Sequence, residues 1–455
     1  MEKSREQWHS KLGFVLAAAG SAIGLGNIWR FPYMTGQNGG AAFVLIYMIF
    51  VVLIGFTIML AELTLGRHTQ RNPVGAFAKI FPGTQWKWVG ALGVVTGVAI
   101  LSFYSVIAGW TMGYIFKIAT GQFNNITDSR QVEEIFSQFV QNPLAAVGLL
   151  ALFIGLTVGV IVGGVSAGIE RWTKILMPIL LGILLLLLVR SLTLGKGVVE
   201  GLLFYLKPNF HAVKIETWVQ ALGQALFSLS LGMGAMITYG SYISKKENLA
   251  TCAAYVCIFD TLIALLAGLA IFPALFAMGM DPAGGPGLVF LVLPVVFDMM
   301  PGGTIFGTAF FILLTIAALT STISLLEVAV AYFIDERNWS RKTAAVVVGV
   351  LAFLLGIPSA LSQGASTWFG CIPLVHMPFL DFMNVLFGNY ALTLGTLLIA
   401  LFVGWKWGTK NAVKEILQGN SQFKFQSIWM ITIRFVAPAA IIIILIYLIC
   451  TGKFF

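Results

Sequence analysis

Charge is the scarcest ingredient of this chain, since only 10% of its 455 residues are Asp, Glu, Lys or Arg, against roughly a quarter in a soluble domain. That excludes an ordinary water-soluble globule. Cysteine and histidine number four each. Cys252 and Cys257 share one apolar segment, Cys371 falls in an outer loop and Cys450 near the C-terminus, with no Cys-x-x-Cys pair, so packing is their expected role. His9, His68, His211 and His376 are scattered and offer no metal-ligand spacing. There is no P-loop, no Gly-x-Ser-x-Gly elbow and no His-Glu-x-x-His. Primary ATP-driven pumping and hydrolysis are disfavoured, and no enzymatic activity is expected.

What remains is apolar: 58% of residues are hydrophobic and the mean hydropathy is +0.92. The chain reads as an all-α polytopic membrane protein with about eleven stretches near the 20 or so residues that a spanning helix needs. These segments, one to eleven, cover about 12–36, 41–66, 88–122, 144–162, 168–192, 218–242, 249–279, 303–333, 342–361, 375–405 and 428–452. No cleavable leader is expected, because the basic start (Lys3, Arg5, Lys11) runs into a long glycine-broken segment and not a short apolar core. The net charge of +9 reports topology and not nucleic-acid binding. Placing the N-terminus in the cytoplasm puts most of the 27 lysines and arginines on the inner side, with Arg130, Lys196, Lys207, Lys214 and Lys453 outside, as the positive-inside rule requires. An odd number of spans then leaves the C-terminus outside. Attraction to the membrane surface is the only partner this charge implies.

Segment one cannot all be ordinary membrane helix. Gly20, Gly24 and Gly26 weaken it, and Asn27 and Arg30 set an amide and a charge at bilayer depth. Glycines that merely allow close helix packing account for Gly20 and Gly24 but not for Asn27 and Arg30. A broken helix accounts for all five, and non-helical backbone at that depth is tolerated only against protein or a wet cavity. Segment six repeats the pattern in Phe227-Ser-Leu-Ser-Leu-Gly-Met-Gly-Ala235. Breaks in the first and sixth of eleven segments fit two inverted five-helix repeats, each giving one discontinuous helix to a central site. The repeats cover 1–192 and 218–405 within one transmembrane domain, 1–455, and segment eleven, 428–452, is an addition.

The run Gly24-Leu-Gly-Asn-Ile-Trp-Arg-Phe-Pro32 resembles the signature of the neurotransmitter:sodium symporter family. Further matches are Asn38-Gly-Gly-Ala-Ala-Phe43, Glu62 with Gly66-Arg67 and Gln70, the stretch Ser228 to Gly234, and Ala317-Ala-Leu-Thr-Ser-Thr322, in order along most of the chain. The resemblance implies a LeuT-like fold and sodium-coupled, alternating-access import of an amino acid. A zwitterion brings two charges that must both be met in a low-dielectric cavity. N–H groups of Leu25 and Gly26, at the start of a half-helix, suit its carboxylate, and carbonyls of Ala22, Phe227 and Ser228 suit its ammonium. Tyr104 matches the family tyrosine that donates to the carboxylate, although an interfacial aromatic would read the same. The wall is expected to comprise Ile100, Tyr104, Phe227, Ser230, Met233, Ser321, Ser324 and Leu325. It carries no formal charge, so a neutral, mainly hydrophobic side chain, aliphatic or aromatic, is favoured. The flexible thioether of Met233 suits several shapes.

By the same resemblance two sodium ions are expected. One would be held by Ala22, Asn27, Ser228 and Asp260, and the other by Gly20, Ile23, Ala317, Thr320 and Ser321. Asp260 would supply the negative charge that chloride provides in some animal relatives, predicting chloride independence, whereas the plainer reading is an acid paired within the bundle. Thr320 and Ser321 read equally as hydroxyls back-bonded to their own helix. An outer gate would combine Arg30, Tyr104 and Phe227, with Asn384 where many relatives carry an acid and Asp381 one turn away. An inner latch would join Arg5 and Trp8 to Asp335, Tyr242 and Ser241. Gly168 and Pro178 mark a hinge, where either unwinding that admits water to the second ion or plain kinking is expected. A bacterial plasma membrane is the expected location. Two rival functions use the same features: a non-transporting amino acid sensor, which would ordinarily need an appended signalling domain, and a channel, which would open to both sides at once.

Overall fold

Lipid cannot satisfy backbone N–H and C=O groups, so apolar runs of this length must close their hydrogen bonds internally, as helix. The computed structural model describes residues 5–124, 126, 129–283, 285–373, 375–419 and 422–452; Lys3 and Lys453 lie outside them. Among the described residues nine helices are long and apolar enough to cross a bilayer. They are Ala41–Thr69, Lys87–Ala119, Pro143–Val162, Val165–Leu192, Leu249–Ala277, Gly303–Arg337, Arg341–Leu361, Phe379–Lys406 and Gln426–Thr451. A tenth span is a pair, Lys11–Ala22 and Gly26–Gln37, bent by 51° at a short break. The remaining expected stretch, segment six, is divided more deeply: helices Ile215–Ser228 and Ala235–Gly240 flank the non-helical residues 229–234. No strand occurs among the described residues beyond one isolated bridge, Ile372 to Met377.

Segments three and eight, the two longest helices, pack along each other and form the frame. Their most apolar windows are 83% and 78% buried, against 28% in segment five, which therefore sits at the rim of the bundle. Segment one lies against segments five, seven and eight. Its first half starts where the Ser10 side chain accepts from the Gly13 N–H at 3.0 Å and stops where Ile23 turns to an extended conformation. Beyond the break the chain is wound as a π-helix over Gly26–Arg30, with Pro32 in the first turn of the α-helix that follows. In segment six Ser230, Gly232 and Gly234 all adopt positive φ, at 54°, 83° and 77°. Gly232 has a second reason to be glycine, because a Cβ there would run into the Leu392 carbonyl and Thr396 of segment ten.

The loop 193–217 is not plain coil, because Val198–Leu206 is helical. It packs on segment seven, and the Tyr205 hydroxyl donates to the Leu265 carbonyl at 3.1 Å. In segment five, where the hinge is expected, 168–178 is helical throughout, π-wound to Glu170 and α-helical from Arg171 with Pro178 inside. In this conformation Gly168 and Pro178 sit in a wound helix and the stretch between them is closed.

A buried clasp ties segment two to the short helix Thr409–Ile416 that follows segment ten. The Arg67 Nε donates to Glu415 Oε1 at 2.8 Å and its Nη2 to the Glu415 carbonyl, while His68 Nδ1 lies 3.0 Å from Oε2. Burial alone would raise the Glu415 carboxyl. The His68 contact and the Arg67 charge outweigh it and hold Glu415 below its ordinary value. Its stabilising contribution is thus complete above the ordinary carboxylate pKa and is lost as pH falls through the lowered folded value. Arg67→Gln leaves a carboxylate stranded at 1% exposure, and a loss of about 3–5 kcal/mol is expected. Thermal unfolding of the detergent-solubilised protein should show a lower midpoint for Arg67→Gln at pH 7, with the difference from wild type narrowing on acidification.

Candidate functional site

The two breaks face each other across segments three and eight. Between them lies a cleft lined by Ser21, Ala22, Gly24 and Gly26 of segment one, Ile100 and Tyr104 of segment three, Phe227, Ser228, Ser230 and Met233 of segment six, and Ser321 and Leu325 of segment eight. Ten of these twelve were expected for the substrate; Ser21 and Gly24 were not. Two expected residues do not line it. Leu25 contributes its backbone, whose N–H donates to Tyr104 Oη at 2.8 Å. Ser324 is engaged beneath the wall, with its hydroxyl 2.7 Å from Ser21 Oγ and 2.8 Å from the Ser321 carbonyl. The missed residues follow from the break itself, since every residue of an unwound stretch can present backbone to the cavity.

Hydroxyls from the two later segments converge on the first. Ser230 Oγ donates to the Ser21 carbonyl at 2.8 Å, and Ser321 Oγ lies 3.2 Å from the same oxygen. At the outer end of the cleft the Arg30 guanidinium lies 4.4 Å from the centre of the Phe227 ring. Neither Asn384 nor Asp381 joins it by a hydrogen bond or ion pair, and Asp381 is exposed. The Phe227 ring expected in the outer gate thus meets Arg30 as an aromatic face beneath a cation.

Beside the cleft Asp260, wholly buried, is brought to Asn27 and Ser228 as expected for the first ion. Asn27 Nδ2 donates to Asp260 Oδ1 at 2.7 Å, and Ser228 Oγ lies 2.9 and 3.0 Å from the two carboxylate oxygens. Tyr47 of segment two adds its hydroxyl 3.2 Å from Oδ2. No ion pair among the described residues includes Asp260. Its negative charge is met by dipoles alone, a setting that a small cation would complete. Sequence reasoning missed Tyr47 and also Gln224, whose side chain donates to the Gly26 carbonyl at 2.7 Å. Gln224 was legible in principle, since it lies one helical turn before Ser228 on the same face.

The second expected set is also gathered. Thr320 Oγ1 lies 3.0 Å from the Ala317 carbonyl and 3.4 Å from that of Ile23; Ser321 Oγ lies 3.3 and 3.4 Å from the same two. Both hydroxyls therefore meet the back-bonding reading and the cross-helix one together. Gly20 faces them, since a Cβ on it would stand 3.3 Å from both Thr320 Cβ and Met177 Sδ and 3.6 Å from Thr173 Cγ2. Segment five, between Gly168 and Pro178, forms the far wall of this set. Among the described residues no group of three or more His, Cys, Asp or Glu side chains is placed to hold a metal ion. What the two sets offer is carbonyl and hydroxyl oxygen with one carboxylate, ligands for a hard monovalent ion and not for zinc.

The inner latch is assembled. Arg5 Nη1 reaches both Asp335 oxygens at 2.7 and 2.6 Å, and its Nε and Nη2 donate to Ser241 Oγ at 3.0 and 2.7 Å. Trp8 donates from Nε1 to the Tyr239 carbonyl at 3.0 Å and from its backbone to that of Tyr242 at 3.1 Å. Asp335 also accepts from the Asn72 backbone N–H at 2.7 Å. Three acids extend the latch beyond what the sequence indicated. Glu327 accepts from Tyr242 at 2.6 Å and pairs with Arg341 at 2.7 Å, Arg341 reaches Glu6 at 3.0 Å, and Glu170 accepts from the His9 N–H at 2.7 Å and Ser10 at 2.8 Å. Arg5→Ala removes the guanidinium that ties Ser241 and Asp335 to the N-terminal segment. Faster amide exchange over residues 5–22, by about tenfold, is expected by mass spectrometry, with exchange in segment three unchanged.

Three comparisons bear on this geometry. A model of the family described as sodium:neurotransmitter symporter matches residues 5–146 and 122–453. The chain is 41% identical over 449 residues, 98% of each chain, to a protein of Bacillus subtilis (strain 168) named as the uncharacterized sodium-dependent transporter YhdH. It is 36% identical over 454 residues, again 98% of each, to an uncharacterized sodium-dependent transporter of Haemophilus influenzae. Among solved structures, that of MhsT in complex with L-phenylalanine matches with a TM-score of 0.88 and 48% identity, covering 97% of this chain and 99% of the other.

Proposed function

Because the chain belongs to the sodium:neurotransmitter symporter family, a family of transporters and not of enzymes, we propose that it imports neutral, mainly hydrophobic L-amino acids together with sodium. The observation that carries this reading is the chemistry of the cleft. One end holds the Leu25 N–H and the Tyr104 phenol, now hydrogen-bonded to each other at 2.8 Å, and no charged side chain stands among its lining residues. An arriving carboxylate takes over the Leu25 N–H and receives the Tyr104 hydroxyl, so neither donor is ever left bare. Ala22, Phe227 and Ser228 carbonyls take the ammonium. The apolar wall around Ile100, Met233 and Leu325 takes the side chain, and the phenylalanine held by the similar MhsT supports an aromatic as well as an aliphatic occupant.

Two sodium ions accompany the substrate in this scheme, one at Ala22, Asn27, Ser228 and Asp260, the other at Gly20, Ile23, Ala317, Thr320 and Ser321. Two charges entering down a membrane potential gain roughly 2.3 kcal/mol each per 100 mV, and a tenfold sodium gradient adds about 1.4 kcal/mol per ion. The sum of about 7 kcal/mol sustains accumulation on the order of 10⁵-fold. The Asp260 carboxylate stands in for chloride, making transport chloride-independent. Residues 1–192 and 218–405 act as the two repeats that rock against each other, with 428–452 at the side. The N-terminus faces the cytoplasm of a bacterial cell. Arg30 with Phe227 closes the outer path, the Arg5 latch closes the inner one, and local unwinding between Gly168 and Pro178 exposes the second ion.

Reconstitution in liposomes tests the reading. An inward sodium gradient should drive radiolabelled phenylalanine and leucine above the external concentration, potassium in place of sodium should abolish this, and gluconate in place of chloride should leave it unchanged. Binding without accumulation would instead assign the cleft to a sensor.

A further inference from the structure

A groove of about 730 Å³ opens between segments three, eight, nine and ten, away from the central cleft. Segment three contributes Trp88, Ala91, Val95 and Val98, which recur at helical spacing along a stripe apart from that of Ile100 and Tyr104. Val348, Leu351 and Leu355 of segment nine face it, and Met383 and Phe387 of segment ten close its far end. One side chain in the lining carries a charge. Lys87 stands at the mouth, at the membrane surface on the side of the chain's N-terminus, exposed and in no ion pair among the described residues. Its ammonium lies 5.7 Å from the ring centre of Trp88, itself 62% exposed.

Dimensions and charge identify the occupant. From Lys87 to Val98 the helix rises about 16 Å, and one leaflet of a hydrocarbon core of roughly 30 Å is about 15 Å deep. The groove is thus as deep as one acyl chain is long, apolar to its end, with a cation and an interfacial tryptophan at headgroup level. We propose that it is a lipid site, taking one acyl chain of an anionic phospholipid whose phosphate pairs with Lys87. A bound chain fills space that would otherwise leave the reverse face of segment three unsupported.

Native mass spectrometry of the full-length protein, delipidated in detergent and offered phosphatidylglycerol or phosphatidylcholine of identical chains, tests this. Wild type should retain phosphatidylglycerol about fivefold better, as expected for one lysine near the surface. Lys87→Glu should erase that preference while still retaining lipid, and Ala91→Trp or, deeper, Val98→Phe should lose both lipids. Melting temperatures confirm that each variant is folded. Equal retention of the two lipids by wild type, or an unchanged preference in Lys87→Glu, overturns the proposal. So does a wild-type dimer that Ala91→Trp converts to monomer, since the groove would then belong to a second copy of the chain.

Discussion

Gly24→Ala should reduce sodium-stimulated phenylalanine binding by at least about a hundredfold while leaving the protein folded. A Cβ at this position would stand 2.6 Å from Tyr104 Oη and overlap Ser321 Oγ. Tyr104 and Ser321 are themselves buried, so either must shift within the packed bundle to admit the methyl group. Overpacking of this kind costs about 1–3 kcal/mol. Displacing the phenol also removes a hydrogen bond to a charged carboxylate, worth about 1.5–3 kcal/mol, and each 1.4 kcal/mol is roughly tenfold in affinity. Gly148→Ala is the control, since a Cβ there meets nothing within 4 Å and alanine favours helix by about 1 kcal/mol. Its binding should equal wild type. Isothermal calorimetry on both variants decides the matter, and binding by Gly24→Ala within threefold of wild type would remove the cleft as the substrate site.

Asp260→Asn is the second large effect. In wild type Asn27, Ser228 and Tyr47 direct donors at a carboxylate that no cationic side chain accompanies. A buried anion of this kind costs several kcal/mol unless another charge arrives, which is the ground for proposing it as a sodium ligand. The amide removes the charge and turns one oxygen into a donor facing donors. Uptake in gluconate should fall more than tenfold, and chloride should restore a substantial part of it if charge is the missing ingredient. The sodium-induced rise in melting temperature reports the same change without transport: saturation at 100 times the dissociation constant is worth about 2.7 kcal/mol, and the variant should retain only the part due to the second ion. An unaltered sodium response in Asp260→Asn would assign the carboxylate to packing.

The transmembrane layout was readable because its cause is local. Each span is a long apolar run, and the break in segment one is written in Gly20, Gly24, Gly26 and Asn27. The phase of segment seven was not readable in the same way. Leu249–Ala277 is apolar on every side, with lipid on one face and protein on the other, so periodicity gives no angle for Asp260. Its contacts with Asn27 and Ser228 fix that angle. Tyr47 and the acids Glu6, Glu170 and Glu415 escaped for another reason. Their partners lie far along the chain, Arg67 and Glu415 being 348 residues apart, and no sequence interval announces such a meeting. Val198–Leu206 escaped because nine residues are too few for a span. The outer gate was legible only by resemblance, which set Phe227 beside Arg30 and Asn384 where relatives carry an acid, and the Phe227 ring does stand against the guanidinium.

Asp335 answers to two residues at once, Arg5 from the N-terminal segment and Asn72, through backbone and side chain, from the loop after segment two. When Arg5 leaves, the acid still has a partner, so undocking creates no stranded anion and the inner surface keeps its shape. The N-terminal segment meanwhile stays covalently joined to the helix that begins at Lys11, and so short a tether would hold it at about millimolar effective concentration. The latch is therefore a weak intramolecular ligand for a preformed receptor. A free peptide copying residues 5–10 should compete with it only near that concentration.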